Sequence, residues 1–401
     1  MKHQRDPAMK IRITTRIRLT HRKTNSVIHF SSNASHNFIL QQIKLRIYSD
    51  FVIRMRCRRL YGKMECRMDK IESQVLPVPP NMIASLRAGF DAVANQIVII
   101  IIPIAIDLLL WLGPHLQVKT LVNNYLDSMA ASAQINSIQA GDLISTSIDM
   151  MRMVAAHFNL LSLLRTIPVG IPSLEASRLP IEIPKGAPIF VDLANPLVAF
   201  CIAIGLLVTG LIAGSFYYNL VVQVSINGKI ELKKVISNWM WSSIQILSLA
   251  LALLTIFILI SVPSSCVISA IGLIGIPLGQ FAFFIYFGVI LWLAFPLLFS
   301  AHGIFLNHNN ALVSVRRSMV LTRMTITSTL LFFLLILAIS EGLDLLWRVP
   351  PETSWLTLVG VGGHAFITSA LLAASFIYYR DADIWTQQTL RLLKSTVEKA
   401  D

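Results

Sequence analysis

Apolar residues along this chain gather into runs of about 20, the length at which one helix crosses the hydrocarbon core of a bilayer. The clearest pair is Ile326 to Leu346 and its return, Trp355 to Tyr379, separated at Pro350-Pro351. Ahead of them lie Ile97 to Leu112, Pro196 to Val222, Met240 to Val262 and Phe281 to Phe305. The pattern predicts an all-α fold, a polytopic transmembrane helix bundle of about six spans paired as three hairpins. A hydrophobic content of 55% with only 14% charged residues excludes an ordinary soluble domain.

Shorter segments with a helical period precede the spans. Met82 to Ala94 puts Ile83, Leu86, Phe90 and Val93 on one face, and Asn310 to Arg323 is a basic segment of the same kind. Both are expected to be interfacial amphipathic helices. Lys229, Lys233 and Lys234 mark a further basic surface segment, and Asp383 to Lys394 reads as a last amphipathic helix within a cytoplasmic tail, 381–401. Of the short loops, those on one side carry the Lys and Arg, while the two opposite offer only Arg348. That asymmetry predicts a multi-pass plasma-membrane protein with both termini cytoplasmic, and Trp111, Trp241, Trp347 and Trp355 fall where interfacial anchors belong.

Residues 115–190 contain no spanning run. Leu121 to Leu164 can form one or two helices, with Leu160 to Leu164 apolar enough to rest on lipid or on the bundle. Pro168, Pro172, Pro180, Pro184 and Pro188 then forbid a continuous helix. An extracytoplasmic cap is expected here. Gly210 and Gly214 have the small-xxx-small spacing that lets helix backbones approach, so helix packing is predicted there. The apolar but broken stretch 263–280, with Gly272, Gly275, Pro277 and Gly279, is either a half-helix dipping into the membrane or an extension of the fourth span.

Charge changes the picture only at the start. The formal net charge is +13, and residues 1–67 carry all of the excess, holding sixteen of the 34 Lys and Arg and three acids. From Met68 onward the chain is neutral, so no nucleic-acid partner is expected for the body. The basic arm is read as disordered or as lying upstream of a native start at Met68; a lipid- or nucleic-acid-binding arm and an organellar transit peptide are the alternatives. Cys57, Cys66, Cys201 and Cys266 lack the spacing of a metal site or a disulfide framework.

The segment Asn310-Ala-Leu-Val-Ser-Val-Arg-Arg-Ser-Met-Val-Leu-Thr-Arg323 and the span ending Tyr378-Tyr-Arg-Asp381 resemble a broad group of bacterial six-span membrane proteins. That group includes the membrane domain found with some glycerophosphoryl diester phosphodiesterases. The resemblance covers Met82 to Asp383 in topology and implies a six-span body, although Arg380-Asp381 reverses the order typical of the group. No soluble segment with acidic metal ligands accompanies it, so the phosphodiesterase activity is not implied.

Candidate chemistry starts from ionisable groups inside spans, which are costly and often functional. Asp107, Glu341, Asp344 and His364 qualify, and Asp107-Leu-Leu-Leu-Trp111 and Asp344-Leu-Leu-Trp347 occupy equivalent places in two repeats. They form either a polar cluster for an ion, proton or headgroup, or a set of interfacial groups satisfied by water and Arg348. Arg316, Arg317 and Arg323 are candidate contacts for lipid phosphates, or simply the basic flank that topology requires. His302 and His308 lack further ligands, and no metal or cofactor is expected. No hydrolase, nucleotide-binding or metalloprotease motif occurs. The expected function is non-enzymatic, a membrane scaffold handling lipid or a membrane-protein partner, within the lipid bilayer and against anionic lipid headgroups. The alternative is a transporter or channel with the acidic cluster near its outer mouth.

Overall fold

The computed structural model describes residues 79–136, 141–179, 182–274 and 276–398. The basic arm 1–67 with Cys57 and Cys66, and the alternative start at Met68, lie outside the described residues. Helix α1 (Met82–Asn95) leads through a 3-10 turn, Ile97–Ile100, into α2 (Ile101–Leu112), the two meeting at 90°. Helices α3 (Lys119–Asn136) and α4 (Gly141–His157) follow. The bundle continues with α5 (Pro196–Asn227), α6 (Leu232–Ile274), α7 (Ile276–Ala294), α8 (Ser300–Asn307), α9 (Ala311–Met324), α10 (Ile326–Trp347) and α11 (Thr357–Glu398). Two short strands, β1 (His115–Gln117) and β2 (Phe190–Asp192), pair in parallel with His115 opposite Phe190 and tie together the two ends of the cap.

Five of the described helical stretches are long and apolar enough to cross a membrane, or six if the bent α1–α2 pair is one span. The chain is therefore an all-α bundle and an integral membrane protein. The end carrying Trp111 and Trp347 is called the cap end below; the end carrying Lys229 and Arg323 is the basic end.

Local chemistry sets the boundaries. Asn81 caps α1 by accepting from the Ile83 and Ala84 amides at 3.1 and 3.2 Å. Asn195 caps α5 in the same way with Pro196 just inside, and Gly228, at φ +68°, ends it. Along α11 the buried residues include Ala365, Ala370, Ala373, Ala374 and Phe376, and this helix forms the centre of the bundle.

Several elements differ from the sequence reading. Rather than presenting its apolar face to lipid, α1 lies against α11: Leu86 and Val93 are buried while Ile83 is 73% exposed. A Cβ at Gly89 would fall 2.5 Å from the Ala374 amide nitrogen, so only glycine permits this approach. The basic segment around Lys233 forms no separate surface helix, since α6 starts at Leu232. Helix α6 runs on through Pro263 to Ile274, so 263–274 continues the helix of the third span and is not a separate half-helix. Its apolar run outlasts the proline, and Ser264 donates to the Ile260 carbonyl at 2.7 Å in the affected turn. The last span and the tail are one 42-residue helix, because nothing between Tyr379 and Asp383 can break it.

The fourth span, expected as one run, is interrupted. A 3-10 turn at Phe295–Leu297 separates α7 from α8, and α9 packs against this break. Ser318 donates to the Pro296 carbonyl at 2.7 Å and accepts from the Phe299 amide at 3.2 Å. Ser314 donates to the Ser300 carbonyl. Hydroxyls on α9 thus satisfy groups that the helix break frees, which apolar surroundings demand.

Candidate functional site

The cap end holds a buried ionisable network. Asp107 lies in the last two turns of α2 and is fully buried. Its Oδ1 accepts from the Ser173 hydroxyl and, at 3.0 Å, from the Glu175 amide. Ser173 Oγ in turn accepts from the Ala176 amide at 3.0 Å. Asp107 thereby acts as a remote cap on the 3-10 turn Glu175–Ser177, an arrangement that requires an acceptor at this point of α2.

Glu175 and Arg178 form a buried ion pair at 3.1 Å. The approach lies off the hydrogen-bonding direction, leaving both Glu175 oxygens without a hydrogen bond among the described residues. Arg178 also reaches the Trp347 carbonyl at 3.5 Å, and Arg348 donates to Ser177 at 2.7 Å. Burial pushes the Glu175 carboxyl up to about 7; Arg178 and Arg348 oppose the rise, while Asp107 and Glu352 add to it. Burial raises Glu352 as well, against the pull of Arg178. Asp344 and His364 pair at 2.7 Å, with His364 close to Asp107. Above the network opens a hollow of about 780 Å³ lined in part by Arg178, Glu182, Arg348 and Glu352.

Below the network the chain enters the bundle. Residues 165–174, here called the wedge, follow a 3-10 turn, Leu160–Leu164; they are non-helical and carry Val169, Ile171 and Leu174 into the core, with exposures of 0%, 4% and 0%. Their seat is α5. A Cβ on Gly210 would lie 2.6 Å from the Leu164 carbonyl oxygen, and one on Gly214 would lie 3.0 Å from the Gly170 Cα. Thr166 donates to the Val169 carbonyl and closes the turn at the tip. Gly210 stands about 21 Å along α5 from Pro196 and about 26 Å from Asn227, so the wedge reaches the middle of the bundle. The small-xxx-small pair therefore receives irregular backbone and not a second helix. Non-helical backbone at this depth is tolerated where protein or a cavity covers it.

A cavity of about 330 Å³ adjoins the wedge, with Arg165, Tyr218, His302, Ser340, Thr368 and Ser375 as its polar lining. His302 Nε2 bonds the Ser375 hydroxyl at 2.8 Å.

Of the ionisable residues expected to cluster, Asp107, Asp344 and His364 meet at the cap end, but Glu341 does not join them. It is exposed on α10, one turn before Asp344. Arg316, Arg317 and Arg323 are exposed on α9, and none belongs to an ion pair among the described residues. Asn310 occupies the N-cap position of α9 without a side-chain hydrogen bond, the Ala311 amide being taken by Gln245 at 3.0 Å. Gly360 and Gly363 admit Trp347 against α11.

Ser173, Glu175 and Arg178 escaped the sequence reading. A usable signal was present, because Glu175-x-x-Arg178 places opposite charges three residues apart beside an apolar, proline-rich stretch. Among the described residues no group of three His, Cys, Asp or Glu side chains could hold a metal ion. Comparison of the chain with family models, with curated proteins and with solved structures gives no match.

Proposed function

We propose that this protein is a non-enzymatic membrane transporter in which the wedge is the moving part and the cap-end network is its latch. The supporting observation is the bond between Asp107 and the wedge. A fully buried carboxylate holds an irregular segment deep in the bundle, next to a cavity. Substrate sites in transporters characteristically lie where irregular backbone lines a cavity at membrane depth. A scaffold needs no buried ionisable network, whose desolvation is costly. In this reading the cap faces outward from the plasma membrane and both termini are cytoplasmic, which the concentration of Lys229, Lys233, Lys234, Arg316, Arg317 and Arg323 at one end supports.

The latch opens on loss of a proton. When Glu175 ionises it places charge beside the Asp107 carboxyl, which adds to the cost of burial and which Arg178 opposes. The test follows Val169, which is fully buried. In a full-length chain with Cys57, Cys66, Cys201 and Cys266 changed to Ser, Val169→Cys should react with an impermeant maleimide about tenfold faster at pH 8 than at pH 6. Glu175→Gln should remove the difference. Equal protection at both pH values would rule out a releasable wedge.

A further inference from the structure

The cavity beside the wedge identifies what it would carry. Arg165 lies at its edge on the wedge itself, exposed, with one hydrogen bond, from Nη1 to the Ser173 carbonyl at 3.3 Å. It belongs to none of the ion pairs among the described residues. A guanidinium this far along the bundle carries a heavy desolvation cost unless an anion meets it.

Two hydroxyls face the same space. Tyr218 and Ser340 both line the cavity, and neither has a hydrogen-bond partner among the described residues. Of the other polar groups, Thr166 donates to the Val169 carbonyl and Thr368 to the His364 carbonyl at 2.7 Å. Ser375 donates to the Leu372 carbonyl, so that His302 Nε2 donates to Ser375 and its Nδ1, buried without a partner among the described residues, is an acceptor. Open donor capacity therefore consists of one guanidinium and two neutral hydroxyls. The rest of the wall is apolar, with Ile171, Phe333, Ile336 and Leu371. A cationic donor, two neutral donors and no carboxylate make a site for an oxyanion. Apolar walls and a volume of about 330 Å³, at the small end of ligand sites, add a short apolar group.

The way in also favours such a molecule. Next to Arg165, Ile167 is 89% exposed, and Leu334 and Leu337 on α10 are 51% and 55% exposed. On membrane-spanning helices these exposed apolar side chains face acyl chains. We infer that the cavity binds an amphiphile with a single oxyanionic group, a carboxylate or a phosphate, held by Arg165, Tyr218 and Ser340 and entering sideways from the bilayer. This inference rests on the transport reading for its purpose but not for its chemistry.

The test uses the full chain in a neutral maltoside detergent. Its probes are short-chain phosphatidic acid, laurate and inorganic phosphate, with affinity read by titration against intrinsic fluorescence. Phosphatidic acid or laurate should bind wild type. Arg165→Gln should weaken that binding about tenfold or more, the value of a charge-assisted hydrogen bond. Ser340→Phe, which fills the cavity and keeps the arginine, should abolish it. Lys233→Gln, at an exposed cation on the basic end, should leave it unchanged.

The lipid probe binding alone identifies a membrane lipid as the source, and laurate binding alone a fatty-acid-like carboxylate. Binding of inorganic phosphate with equal affinity would overturn the amphiphile. No binding of any probe, or equal binding in Arg165→Gln, overturns the inference. Should Arg165→Gln fail to fold, undiminished binding in Ser340→Phe has the same force. Arg165-dependent binding together with a Val169→Cys protected at every pH would sink the transport reading and leave the site standing.

Discussion

Two places in this bundle interrupt its helices, and different chemistry holds each. At the cap end the wedge is fixed by Asp107, with Glu175 and Arg178 buried beside it. Nearer the basic end, the break between α7 and α8 is fixed by Ser314 and Ser318 on α9. Both devices satisfy backbone or side-chain donors that would otherwise be buried without partners. A serine hydroxyl keeps its proton over the whole physiological range, so the basic-end joint is permanent. The cap-end joint rests on carboxyls instead, and burial pushes that of Glu175 up to about 7, so the charge beside this joint changes with pH.

The largest expected effect comes from removing the cap-end acceptor. Asp107→Leu leaves the Ser173 hydroxyl and the Glu175 amide without an acceptor and should destabilise the protein by about 3 kcal/mol, taking 1–3 kcal/mol for each stranded donor. Ser318→Ala strands the Phe299 amide and the Pro296 carbonyl and should cost about 2 kcal/mol. Thermal unfolding in detergent compares them. A harmless Asp107→Leu would remove the distinction between the joints.

The joints should also differ in their response to pH. Glu175 titrates at about 7 in the folded protein against 4.5 for the free side chain, so the folded state holds its proton more tightly. That contribution to stability is complete below 4.5 and is lost as the pH rises through about 7. Wild type should therefore melt at a lower temperature at pH 8 than at pH 5. Glu175→Gln should flatten that slope, whereas Ser318→Ala should lower the whole curve and keep it. An unchanged slope in Glu175→Gln would assign the pH dependence to another group.

The smallest effects concern glycines on α5. Gly210→Ala puts a methyl into the Leu164 carbonyl, so it should loosen the wedge and raise maleimide labelling of Val169→Cys. Gly205→Ala has open space around it and should stabilise by about 0.5–1 kcal/mol through helix propensity. Equal behaviour of the two would mean that the wedge does not depend on this seat.

What the sequence makes legible follows from the same physics. Helix α10 is readable almost residue for residue, since an uninterrupted apolar run ending in Asp344-Leu-Leu-Trp347 has one solution in a membrane. The prolines from Pro168 to Pro188 rule out a helix correctly, but they carry no information about depth. The insertion of the wedge depends on Val169, Ile171 and Leu174 meeting Gly210 and Gly214, residues about forty apart in sequence, and no local period reveals such a match. For the same reason Asp107 could be singled out as costly while its partners could not. Glu341 stands one turn from Asp344 and carries the same cost by sequence; what separates them is that His364 of α11 meets Asp344.

The continuous helix α11 has a mechanical consequence. Its 42 residues form a rod of about 63 Å, against about 40–45 Å for a whole bilayer with its headgroups. His364 rides near one end, and Asp383, which accepts from Asn307 and Gln387, rides well toward the other. A rod pivoting among its neighbours acts as a lever. A tilt that parts His364 from Asp344 must swing the far tip in proportion, so a force applied to the C-terminal tail would be felt at the opposite face of the membrane.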